Sequence, residues 1–103
     1  MTRDIIFKYP LQHGPDGTVL TLPHGAQPVH AGLQRTGPQL WIRHVDSRQG
    51  PTDVRTFRIV ATGEVFPVDA GHIATYFSGD LVWHVIELTR PKAPARPSSG
   101  WLS

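Results

Sequence analysis

Val54-Arg55-Thr56-Phe57-Arg58-Ile59-Val60-Ala61-Thr62-Gly63 is the stretch whose reading decides the fold. β-Branched and aromatic residues dominate it and a Thr-Gly pair ends it, so it predicts a strand. Arg55, Phe57, Ile59 and Ala61 share one face; Val54, Thr56, Arg58 and Val60 share the other. Both faces are mostly apolar, which suits a central strand covered on two sides. An arginine in such a strand either lays its stem over apolar surface or presents its guanidinium to a ligand.

The rest of the chain reads as strands that pair with this one. Towards the N-terminus they are Ile5 to Pro10, Thr18 to Leu22, Pro28 to Arg35 and Gln39 to Asp46. In the third, Val29, Ala31 and Leu33 fall on one face. In the fourth, Leu40, Ile42 and His44 oppose Trp41, Arg43 and Val45. Gly14-Pro15-Asp16-Gly17, Pro23-His24-Gly25 and Thr36-Gly37-Pro38 carry turn chemistry, and Ser47 to Asp53 is a polar loop. Towards the C-terminus, Ile73 to Ser78 and Leu81 to Leu88 flank Gly79-Asp80, a two-residue hairpin signal. Glu64 to Gly71 connects them to the central strand. Val65, Phe66 and Val68 make it apolar enough to fold back on the domain. A short helix over Asp69 to Ala74 would have to tolerate Gly71, which argues against it. Seven short antiparallel strands predict an all-β domain, a small barrel or a sandwich, over residues 1–88.

The chain has 103 residues, enough for one domain with a thin core. Its net charge of +2 is a property of the tail, residues 89–103, where Arg90, Lys92 and Arg96 meet no acid. The body before it carries seven basic residues against eight acids, so no basic face for sequence-specific nucleic acid is expected. Prolines, serines and basic residues in the tail cannot build a core and predict a flexible end. There are no cysteines, which excludes disulfides and thiol chemistry. With no membrane-length apolar run and no signal-peptide start, the expected setting is the cytoplasm.

Five pieces of the chain occur in a recognisable order: Ile6-Phe7-Lys8-Tyr9-Pro10-Leu11, Leu22-Pro23-His24-Gly25-Ala26, Leu40-Trp41, Arg55 to Gly63, and Val82-Trp83-His84-Val85-Ile86-Glu87. Together they resemble a family of small proteins found mainly in bacteriophages and prophages and catalogued as a domain of unknown function. The resemblance spans Ile5 to Leu88. It implies phage origin and hence a host bacterial cytoplasm; it transfers no catalytic residue.

Catalytic signals are missing from the sequence. The six histidines make no i,i+2 or i,i+4 pair and read as locally satisfied strand and turn residues rather than metal ligands. No nucleophile elbow, carboxylate pair or phosphate loop is present, and no cofactor is expected. Arginine combined with aromatics remains. Arg43 lies two residues from Trp41 on one face, Arg55 and Arg58 lie on the central strand, and His84 adjoins Trp83. The body has one lysine against six arginines, and guanidinium forks suit bidentate capture of phosphate while aromatic faces stack on bases. The opposed reading makes Trp41 and Trp83 core and the arginines its cover. Arg58, Arg55, Arg43, Trp41 and His84 are thus candidate ligand-binding residues of a non-catalytic protein, a sponge for an anionic small molecule such as a signalling nucleotide. The alternatives are a virion or assembly accessory and an inhibitor of a host protein. Open strand edges in so small a chain predict a homo-oligomer.

Overall fold

The computed structural model describes residues 2–47 and 49–88. They form seven antiparallel strands: β1 (Asp4–Pro10), β2 (Thr18–Pro23), β3 (Gln27–Gln34), β4 (Gly37–Val45), β5 (Thr52–Ala61), β6 (Gly71–Ser78) and β7 (Leu81–Leu88). Strands β1-β4-β3 make one sheet and β2-β5-β7-β6 the other, so the architecture is a sandwich and not a closed barrel. The described residues include no helix, and hence none long and apolar enough to cross a membrane. The tail, residues 89–103, lies outside the described residues.

Turn chemistry sets where the chain reverses. Gly17 donates its N–H to the Gly14 carbonyl at 3.2 Å and has φ of 71°. A Cβ there would also collide with the Phe57 carbonyl oxygen across the β2–β5 pair, so the site excludes side chains twice over. Gly79, at φ 60°, opens the β6–β7 hairpin between the paired Ser78 and Leu81, as a primed turn requires.

β5 is an interior strand, hydrogen-bonded to β2 and β7, as its two apolar faces predict. Its inner face meets the three-stranded sheet. Phe57 and Ile59 are buried there with Leu22, Leu40, Ile42 and Val85. Trp83 packs partly buried against this core, with the His13 ring edge-on at 4.9 Å. Burial of these side chains at roughly 25 cal/mol per Å² of apolar surface is the main force holding the sheets together.

Three details differ from the sequence reading. β3 does not alternate cleanly: a bulge between Pro28 and His30 breaks the period at Val29, which is exposed, and Leu33, on the face of the buried Ala31, is exposed near the end of the strand. The segment after β5 folds back through Phe66 and the Glu64 side chain, while Val65 and Val68 stand in solvent. β6 begins at Gly71, two residues before the expected Ile73, and no helix forms over Asp69 to Ala74, as Gly71 argues.

Candidate functional site

The outer face of the four-stranded sheet holds the most elaborate side-chain arrangement. Val60 and Ile86 are 1% and 0% exposed, although they point away from the core between the sheets. They floor a hollow of about 260 Å³ whose wall is the 61–66 turn and whose rim carries Phe66, His72 and His84. The turn closes by a bond from Glu64 N–H to the Ala61 carbonyl at 3.0 Å, with Gly63 at φ 93°. The Glu64 side chain then folds back. Oε1 accepts from the Ala61 N–H at 3.0 Å and Oε2 accepts from Arg58 Nη2 at 2.7 Å. These partners, the backbone N–H first and the guanidinium after it, hold the Glu64 carboxyl below its ordinary range.

Beside this ion pair runs a chain of hydroxyls and imidazoles. Thr62 Oγ1 lies 2.9 Å from His84 Nε2 and donates to the Val82 carbonyl at 3.2 Å. Thr75 Oγ1 lies 2.9 Å from both His84 Nδ1 and His72 Nε2. Donor counting for neutral rings makes the chain run in one sense throughout. With the Thr62 proton on Val82, His84 Nε2–H donates to Thr62, His84 Nδ1 accepts from Thr75 and Thr75 accepts from His72 Nε2–H. Turning the Thr62 proton to His84 reverses every bond. A bulge between His72 and Ala74 makes this possible. It adds one residue to β6, so that His72 and Thr75, three apart in sequence, meet the same face of the sheet.

The five residues singled out from the sequence lie in three places. Arg58 and His84 come together on this outer face, where Arg58 pairs with Ile86 and His84 with Val60 across β5 and β7. Arg55 points the other way, between the sheets. It binds Glu87 bidentately at 2.6 and 2.7 Å, donates to the Ala26 carbonyl, and stands 5.5 Å from the Phe57 ring centroid. The Glu87 hydrogen bonds chiefly raise its pKa above the ordinary guanidinium value. Arg43 and Trp41 lie on the outer face of the three-stranded sheet. Arg43 Nε donates to Asp4 at 2.9 Å, and Trp41 packs at 5.2 Å from the His30 ring.

Sequence reasoning passed over Glu64, Phe66, His72, Thr62 and Thr75 as site residues. The apolar composition of 64–71 was the one available signal, and it marked Phe66. All six histidines have local partners: His13 has Trp83, His24 has Asp53, His30 has Trp41, His44 has Tyr9, and His72 and His84 share Thr75. Among the described residues, no three His, Asp or Glu side chains gather as a metal site would need.

Chemically, the hydroxyl–imidazole chain orients its rings without a carboxylate behind them. The residue that orients His84 is a threonine, and Glu64, which lines the same hollow, is bound to Arg58 and Ala61. The arrangement holds surface groups in place and presents an apolar depression between them.

A family model described as "Domain of unknown function (DUF7352)" matches residues 1–96, and the chain belongs to that family. The match runs beyond the Ile5 to Leu88 span of the five sequence pieces. No curated protein and no solved structure matches the chain.

Proposed function

We propose, for this member of a family without a described function, a non-catalytic binding role in which the outer face of the four-stranded sheet packs against another protein. In the phage setting that the resemblance implies, that is an accessory of the virion or its assembly, or an inhibitor of a host protein. One observation carries the reading: this face is apolar and open. Val19, Val54 and Phe77 on it are 60%, 43% and 71% exposed, and Phe66 is half-exposed beside the hollow. Its one arginine, Arg58, is already engaged by Glu64. A hollow of about 260 Å³ lies below the roughly 300–1,000 Å³ of small-molecule sites and suits a single inserted side chain.

The sponge for an anionic small molecule is the second reading, favoured by His72 and His84 at the rim of one hollow and by Arg58, held against its wall by Glu64. A phosphate there would have to displace the Glu64 carboxylate from Arg58. Two measurements separate the readings. Affinity capture from the producing cells is compared for the native chain and for Phe77→Glu, with folding checked by circular dichroism. A panel of cyclic and ADP-ribose-type nucleotides is tested by thermal shift. The packing reading expects a partner retained by the native chain and lost with Phe77→Glu, and no nucleotide shift. A nucleotide that raises Tm, with the rise abolished by Arg58→Ala, would replace it with the sponge.

A further inference from the structure

Four strands edge the two sheets, and three of them are guarded. β3 and β6 each carry a bulge and lie against one another on one side of the sandwich. β2 is the shortest and ends in Pro23. β1 differs: Asp4-Ile5-Ile6-Phe7-Lys8-Tyr9-Pro10 pairs with β4 in unbroken register along one side only. Ile6 is 55% exposed and Phe7 49% exposed, which leaves an open, apolar edge with backbone groups facing outward. Shallow hollows flank it. One of about 300 Å³ is lined by Asp4, Ile5, Ile6 and Arg43, and one of about 280 Å³ by Phe7, His44 and the residues after it.

We infer that β1 is the two-fold contact of a homodimer, pairing antiparallel with β1 of a second copy in a register centred on Ile6. This interface is separate from the outer face proposed above. Two-fold antiparallel pairing joins residues whose backbone groups both point outward, so paired numbers sum to an even value. Among the available centres, Ile6 alone sets Asp4 opposite Lys8 of the second copy, in both directions. Ile5 then meets Phe7 of the second copy, and Ile6 meets itself. Pro10, which lacks an N–H, falls at the edge of the pairing, opposite Thr2. A centre at Phe7 instead puts Lys8 opposite Ile6 and Pro10 opposite Asp4. In the Ile6-centred register Asp4 stands between Arg43 of its own chain and the incoming Lys8 ammonium, one acid shared by two cations. Lys8 thus protects the edge from other registers and complements this one. The product is a continuous six-stranded sheet, β3-β4-β1 extended by its own symmetry copy.

The test uses the full chain and sedimentation over a concentration series. The native chain should show a reversible dimer. Ile6→Glu, an exposed change, should give a monomer of unchanged circular dichroism and Tm, because like charges then face each other on the axis. Lys8→Asp should raise the dimer Kd about tenfold or more, since it sets carboxylates opposite Asp4. Because the chain has no cysteine, Ile6→Cys supplies one reactive thiol and should oxidise to a covalent dimer, while Val54→Cys should not. A native chain that is monomeric at every concentration overturns the inference. So does a dimer that survives Ile6→Glu, one whose Kd Lys8→Asp leaves unchanged, or one that Phe77→Glu dissociates instead.

Discussion

The two faces of β5 carry arginines three residues apart, put to different use. Arg55 turns inward, four-fifths of its side chain covered, and is locked by a bidentate carboxylate, a carbonyl and an aromatic ring. Arg58 turns outward to one carboxylate on a turn whose partner side chain is 41% exposed. The inner pair closes the end of a core; the outer pair pins a turn over a second, smaller apolar layer made by Val60 and Ile86. A guanidinium in a strand is therefore not by itself a ligand site. What decides its role is whether a carboxylate, on the neighbouring strand or on the following turn, has already claimed it.

The largest effect expected is on the inner layer. Phe57→Ala should cost about 3–5 kcal/mol in urea unfolding, the range for large aromatic truncations. Ile86→Ala probes the outer layer and should cost about 2–5 kcal/mol despite facing away from the main core. If Ile86→Ala behaves like a surface substitution, the outer layer is not a packed unit.

A smaller contrast separates the ion pairs. Glu87→Gln removes a charged acceptor from a mostly covered guanidinium and should destabilise by about 1.5–3 kcal/mol. Arg58→Ala should cost no more than about 1 kcal/mol: its side chain is as covered as that of Arg55, but solvent reaches the Glu64 carboxylate and screens the pair. Equal losses in calorimetry would erase the distinction between the faces.

The smallest effect is a pH dependence. The folded-state pKa of Glu64 is held below its ordinary value of 4.5, chiefly by the Ala61 N–H. The unfolded chain therefore takes up the proton first. The contribution of Glu64 is complete above about pH 4.5 and is lost as pH falls through its lower folded value. Glu64→Gln should flatten the fall of Tm on the acid side of about pH 4.5 and leave the neutral-to-alkaline profile alone. An unchanged acid limb would mean that the turn is held by its backbone bond and Gly63 alone.

Local pattern was enough for the strands. Alternation in β4, with Leu40, Ile42 and His44 buried opposite Trp41 and Arg43, is a property of consecutive residues and survives folding intact. The same holds for the hairpin at Gly79-Asp80 and for the two-sided burial of β5. Pattern failed where one extra residue entered a strand. The bulge in β3 took Val29 off the face of Ala31, and the bulge in β6 brought His72 and Thr75 onto one face with His84. A period-of-two reading cannot anticipate a bulge, because the bulge answers to the neighbouring strand.

The sequence by itself determined an all-β domain of seven strands, its central strand, most turns and the inner apolar set, because these follow from side-chain type and spacing along the backbone. Only the tertiary structure decided that two sheets form a sandwich. It alone sent Arg55 to Glu87, Arg43 to Asp4 and Arg58 to Glu64, and gathered the Thr62–His84–Thr75–His72 chain over a second apolar layer. The reason is distance along the chain. Arg55 and Glu87 are 32 residues apart and Arg43 and Asp4 are 39 apart, so strand order and register chose these partners, and neither is written in the residues around them.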